Sequence, residues 1–363
     1  MKTKQKTKKY SINKVFLIFC ILLLTVSNNL VSQTISNPGL KDAPNSIMGF
    51  NHIGIVVQDL EKMVAFYQAA TGFEIVKREK ISNSTIADIL YNESGIAYET
   101  VTFKAPNMLL ELTHFANTIA EPIQNMPPEG PGMTHTCYQS PSWKSGYQKF
   151  KNQKATILSR GDGPVDLGGY GVTYAYAYDP EGNMIELEQL DQSILNKDGY
   201  DANWQKEKKM WMTQVALISP DLKKLSNYYE KILEFGPRRE ASLANNAKLD
   251  EIAGVDNIEL LAAWFGMDGQ GKMMELMQYI HPKTAKPKGK KPLKSLGYSF
   301  SFEVEDIHQE YKRLKALNVD FISEPQMLGE FWMVFAHDID GNIFSLRQAI
   351  SVSSAYSLKN LYD

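Results

Sequence analysis

Cysteine is almost missing from this 363-residue chain, with Cys20 and Cys137 its whole complement. That excludes a disulfide framework and a cysteine-rich zinc site. Histidine is scarce as well, at six residues, so any metal must be held by a few imidazoles together with carboxylates or amides. The longest apolar run, Val15–Val26, has 12 residues, short of the roughly 20 that a membrane-spanning helix needs. No basic or aromatic stripe is present, which argues against nucleic acid as a partner. The exception, His281–Lys294, carries six lysines but also three prolines, and reads as a solvated loop. What the chain does have is 43% hydrophobic and 22% charged residues, a globular composition with ample material for a core.

Six lysines and no acid precede the apolar run, and the polar stretch SNNLVSQ follows it. This arrangement predicts a secretory signal peptide over 1–33 and therefore an exported protein, periplasmic or secreted, with no stable membrane insertion after cleavage. An uncleaved membrane anchor is the alternative. Without the leader, 33 basic residues face 41 acidic ones, a net charge of −8.

Four segments open on a short apolar strand: FNHIGIVVQDL from Phe50, GMTHTCYQSPS from Gly132, MTQVALISPDL from Met212 and LGYSFSFEVEDI from Leu296. Their corresponding positions are His52, His135, Gln214 and Ser299, at spacings of 83, 79 and 85 residues. A period near 80 exceeds that of the common solenoid repeats and suits four copies of a small α+β unit. In the first copy the strand ends at Gln58-Asp59, and Leu60, Met63, Val64, Phe66 and Tyr67 then recur at helical spacing up to Gly72, a C-cap residue. Three strand-like runs follow, FEIVKREK, AYETVTFKAP and NMLLELTHF. The order is βαβββ, and it recurs in the other three copies, with a helix predicted over Ser142–Lys154 in the second.

The segments NHIGIVVQDLEKMVAFYQAATGFEIV and YDPEGNMIELEQL resemble the vicinal oxygen chelate superfamily, which includes glyoxalase I, methylmalonyl-CoA epimerase, extradiol dioxygenases and bleomycin-resistance proteins. The resemblance spans about residues 48 to 350. It implies an α+β fold of four βαβββ modules paired into two glyoxalase-like curved-sheet domains, here 34–190 and 211–350, joined by a polar linker at 191–210 and ending in a tail at 351–363. It also implies one divalent metal in a concavity, with ligands from the first and last strand of each module. The first-strand positions are His52, His135, Gln214 and Ser299; the last-strand positions are Glu111, Glu186, Glu275 and Ser345.

Residue chemistry adds to this. An acid at Glu111, in the apolar strand MLLELTHF, is costly to bury unless paired or bound to a cation. Alternation puts Glu186 and Glu188 on one face of MIELEQL, Glu111 with Thr113, and Glu275 with Met273 and Met277. Imidazole with carboxylate suits Zn, Ni, Fe, Co or Mn. Two pairings of modules are open. Consecutive pairing, which needs no long-range exchange and is the expectation here, gives His52, Glu111, His135 and Glu186, as in bacterial glyoxalase I, and leaves the second half degenerate. Crosswise pairing gives His135, Glu186, Gln214 and Glu275, similar to the eukaryotic set.

The four-ligand pattern favours the glyoxalase-like branch. The implied activity is a lyase or isomerase reaction on a small α-carbonyl or vicinal-oxygen substrate, by metal-assisted proton transfer, with Glu186 as base and Glu111 second. The epimerase resembles a set with an amide where this chain has Glu111, and Gln214, Ser299 and Ser345 stand against an extradiol dioxygenase. The competing class is a metal-free small-molecule-binding protein, whose concavity Tyr170, Tyr174, Tyr176, Tyr178, Trp264, Phe331 and Trp332 are available to line. His114, His281, His308 and His337 read as ordinary core or edge histidines. With four modules in one chain, a monomer or a homodimer is expected.

Overall fold

The computed structural model describes residues 46–118, 125–191, 193–195, 210–267 and 271–361. The predicted leader at 1–33 and most of the predicted linker at 191–210 lie outside them. The first module runs β1 (Ile47–Val56), α1 (Leu60–Thr71), β2 (Glu74–Ile81), α2 (Thr85–Tyr91), β3 (Tyr98–Lys104) and β4 (Leu109–Phe115). The second has β5 (Gly132–Pro141), a 3-10 turn (Ser142–Lys144), α3 (Gly146–Asn152), β6 (Thr156–Ile157), β7 (Val165–Asp166), β8 (Val172–Tyr178) and β9 (Met184–Leu190). The third has β10 (Trp211–Met212), β11 (Gln214–Ile218), α4 (Leu222–Leu233), β12 (Arg239–Leu243), α5 (Ala247–Ala253), β13 (Glu259–Gly266) and β14 (Met273–His281). The fourth has β15 (Gly297–Val304), α6 (Ile307–Ala316), β16 (Asp320–Phe321), β17 (Gln326–Leu328), β18 (Phe331–His337) and β19 (Ile343–Ala349).

The strand-to-helix reversal has one local cause in three modules. Asp59, Asp221 and Asp306 cap their helices, each side chain accepting from the backbone N–H three residues on, which satisfies one of the orphan donors of the first turn. Gly72, in the left-handed region at φ 73°, returns its N–H to Gln68 and ends α1, as a C-cap glycine does. The second module lacks the aspartate and uses Ser145, so the helix predicted over Ser142–Lys154 is shortened. Helices α2 and α5, capped by Ser84 and Asn246, are additions to the βαβββ unit that the strand pattern did not reveal.

Two sheets form, and their pairing corrects the consecutive expectation. The first sheet joins the first and fourth modules, in the order β16-β18-β19-β15-β1-β4-β3-β2. The second joins the inner modules, in the order β12-β13-β14-β11-β5-β9-β8-β6. The halves 34–190 and 211–350 therefore do not each own a sheet. Chain separation was a poor guide because closing a longer loop adds only about 0.6 kcal/mol per doubling of its length.

The two modules of each half do meet, but through their helices. Phe66 of α1 packs on Phe150 of α3, with ring centroids 5.8 Å apart. Beside them Tyr67 donates its hydroxyl to Asp179 Oδ2 at 2.8 Å, and Tyr229 does the same to Asp338 at 2.9 Å. Each aspartate also accepts from the backbone and side chain of the asparagine four residues on, so the DPEGN and DIDGN turns double as docking points. Tyr67→Phe is expected to cost about 1 kcal/mol in denaturant unfolding, one buried hydrogen bond, and Asp179→Ala about 3 kcal/mol, because it also strands the turn's donors.

Candidate metal centre

In all four modules the first and last strands run parallel with the same offset. Glu111 pairs with Gly54, Glu186 with Cys137, Glu275 with Ala216 and Ser345 with Ser301, each two residues beyond the corresponding first-strand position. Side chains of one parity then share a face. Antiparallel pairing of β5 with β11 sets His135 opposite Ala216 and brings the two inner modules' pairs together. Among the described residues, His135, Glu186 and Glu275 form a group able to hold one ion, and Gln214 closes it.

His135 Nε2 lies 3.5 Å from Glu275 Oε2 and 3.8 Å from Glu186 Oε2. The end of the Gln214 amide is 2.7 Å from Glu186 Oε2 and 3.2 Å from Glu275 Oε2. His135 is 1% exposed; its Nδ1 is engaged by Thr134 Oγ1 at 2.9 Å, while Nε2 is buried without a hydrogen-bond partner. An amide turned nitrogen-inward would satisfy the carboxylates, but it would leave that imidazole nitrogen bare. A cation satisfies all four groups, with the amide oxygen turned inward, so the residues fit a divalent metal with N/O ligands. Burial, with Glu188 and Glu275 nearby, pushes the Glu186 carboxyl well above its usual range. Burial also lifts Glu188 to about 7, against the hydrogen bond from Gln139. The pocket resists a second and third negative charge until a positive one is supplied.

The surroundings are aromatic and closed. Tyr176 is centred 5.1 Å from the His135 ring, Trp264 Nε1 donates to Glu275 Oε1 at 2.7 Å, and the Arg239 guanidinium stacks 3.7 Å above Trp264. Tyr178, Met277, Tyr279 and Ile252 of α5 fill the same concave side. Of the aromatics singled out from the sequence, Tyr174, Tyr176, Tyr178 and Trp264 belong here, Phe331 belongs to the first sheet's concavity, and Trp332 packs on His308.

The set His52, Glu111, His135 and Glu186 is not assembled, because its halves lie in different sheets. In the first sheet the module of His52 and Glu111 is joined to that of Ser299 and Ser345, which bring no strong ligand, and the Arg347 guanidinium occupies the space beside Glu111. It grips Glu111 twice, at 2.8 and 3.0 Å. Glu111, the second candidate base, is thereby neutralised: burial pushes its carboxyl up, but Arg347 and His52 outweigh burial and hold it at about 2. Arg347 escaped sequence reasoning. Its signal was parity, since in IFSLRQA it shares the face of Ser345 at the position that Glu188 holds in MIELEQL. His114 and His337 are engaged by the carbonyls of Val57 and Lys291, as ordinary histidines.

Burial, reinforced by Arg347, lowers His52 to about 3. The folded chain refuses a proton that the unfolded chain binds below its ordinary 6.5, so stability is full above that pH and falls as pH drops towards 3. Glu111 acts in the same direction lower down, between its ordinary 4.5 and about 2. Between pH 7 and 5 the chain should therefore lose about 2 kcal/mol of unfolding free energy relative to His52→Gln, read from urea titrations at both pH values.

A family model described as the Glyoxalase/Bleomycin resistance protein/Dioxygenase superfamily matches residues 49–187 and 211–346. The chain belongs to this superfamily. Over 142 residues, 39% of this chain and 96% of the relative, it is 25% identical to the ethylmalonyl-CoA/methylmalonyl-CoA epimerase of Cereibacter sphaeroides. Its fold is similar to that of glyoxalase I from Zea mays, with a TM-score of 0.55 and 16% identity over 83% of this chain and 92% of that one. It is also similar to a putative dioxygenase from Bacillus subtilis, with a TM-score of 0.51 and 12% identity over 85% and 87% of the two chains.

Proposed function

We propose that the chain is an exported, metal-dependent enzyme that moves a proton on a carbon beside a carbonyl, acting on a small α-carbonyl substrate as a lyase or isomerase. The observation that carries this reading is the meeting of His135, Glu186, Gln214 and Glu275 around a buried imidazole nitrogen that has no partner. These four residues would hold one divalent ion, and Zn, Ni, Fe, Co and Mn all accept such a donor set. When bound, the ion supplies positive charge that stabilises an oxyanion developing on the substrate carbonyl.

The chain's own residues divide the remaining work unequally. Thr134 fixes the His135 ring and Trp264 ties down Glu275, so both are anchored. Apart from the Gln214 amide end 2.7 Å from its Oε2, Glu186 is met by the weak thiol donor of Cys137, which leaves it the freer carboxylate. Its carboxylate is the group assigned to take the proton from carbon and return it. Tyr176, Tyr279 and Met277 exclude water from the exchange. The epimerase relative supports the choice of reaction, because inverting a carbon beside a thioester carbonyl needs this removal and return. The lysine-rich segment and apolar run within 1–33 support export, and the N-terminal sequence of the purified mature protein checks it.

Elemental mass spectrometry on protein purified without chelators, and again after reloading, should find about one transition metal per chain. Incubation in D2O with α-carbonyl compounds, thioesters first, should place deuterium on the adjacent carbon. A chain that takes up no metal on reloading would overturn the reading.

A further inference from the structure

A second concavity lies apart from the His135 cluster. It lies on the first sheet, with about 920 Å³ of empty space that runs out through its open mouth into solvent. Tyr91, Tyr98, Phe115, Phe331 and Phe335 contribute to its walls, and Glu111, Arg347 and His52 to its floor.

The hydrogen bonds of the floor fix its polarity. Asn51 donates through Nδ2 to Glu303 Oε2 and to the Tyr356 carbonyl, at 2.8 and 2.9 Å, so its Oδ1 is the acceptor that faces His52 Nδ1 at 3.0 Å. His52 must therefore carry its hydrogen on Nδ1, leaving Nε2 as a bare lone pair. That nitrogen sits 3.4 Å from Glu111 Oε2, an oxygen that accepts from Arg347 on its other side. Two acceptors confront each other across the floor with no donor between them, and both border the cavity. The Glu111–Arg347 pair cancels its own charge, and the guanidinium occupies the space beside Glu111.

We propose that this concavity is a second binding site, independent of metal, for an uncharged aromatic molecule that carries a hydroxyl group. The ring lies among the aromatic walls and the hydroxyl donates to His52 Nε2 and Glu111 Oε2. Tyr356, from the C-terminal tail, closes one end: its hydroxyl reaches the Val76 carbonyl at 3.2 Å, and the tail behind it is held by Glu303, which accepts from Leu358 N at 2.7 Å and from Ser357.

The test is calorimetry on the full mature protein with 2-naphthol and its methyl ether, with and without bound metal. Naphthol should bind at least about tenfold more tightly than the ether, the worth of one hydrogen bond to an otherwise unpaired buried acceptor. Its affinity should be the same with and without metal and in His135→Ala, fall about tenfold in His52→Phe, and be lost in Leu328→Trp, which blocks the rim without touching the floor. Equal binding of naphthol and ether, binding that survives Leu328→Trp, or loss of binding in His135→Ala would each overturn the proposal. Because the first sheet is assayed without metal, failure here and failure of the enzyme reading are separate results.

Discussion

His135→Ala removes bound metal and carbon–hydrogen exchange together, while His52→Ala leaves both in place. That is the largest effect expected, and it separates the two histidines that occupy equivalent positions in the repeat. His135 converges with two carboxylates and an amide drawn from both inner modules; His52 faces a carboxylate already taken by Arg347. Losing a direct ligand should weaken metal binding by more than about 100-fold, the upper end of what loss of a supporting partner alone costs. Glu275→Gln should follow His135→Ala, and Gln214→Ala should weaken binding less, since a neutral ligand contributes less charge. Competition with a chelator of known affinity gives the numbers. Metal loss from His52→Ala, with His135→Ala unaffected, would reverse the assignment.

The second large effect concerns stability. Arg347→Met strands the Glu111 carboxylate in a site where Glu111 is 14% exposed and its guanidinium partner 7%, and leaving a buried charge unpaired costs about 3–5 kcal/mol. Arg347→Met combined with Glu111→Leu should recover most of the loss, because the pair is then replaced by apolar groups of similar size and no bare charge remains. Urea unfolding of the two single variants and the double variant measures the coupling. A single variant within about 0.5 kcal/mol of the parent chain, the usual range of surface substitutions, would mean that solvent reaches Glu111 freely.

Much of this was legible in the sequence. The βαβββ order, the positions of His52, His135, Gln214 and Glu186, and the shared faces of the last strands follow from period and parity, because a strand's alternation is fixed by local geometry. The partner of each module was not legible. The edges of β1, β5, β11 and β15 carry similar apolar faces, and which two join depends on long-range fit such as Thr136 Oγ1 donating to the Gln214 carbonyl at 2.7 Å. The role of Arg347 was hidden for the same reason, since its carboxylate lies 236 positions away. Helices α2 and α5 were hidden by brevity, at seven residues each, too short for periodicity to register.

The crosswise topology nests one sheet inside the other along the chain, like inner and outer brackets. The inner sheet draws on residues 132–281 alone, whereas the outer one must wait for β15, beginning at Gly297, before β1 gains its neighbour on that side. An emerging chain can therefore complete the sheet of the His135 cluster first, and during that interval the first module holds an unpaired strand edge open. Such an edge invites association with other chains. A chain ending near residue 290 should retain the inner sheet yet aggregate through β1, and supplying the fourth module as a separate polypeptide should suppress that aggregation.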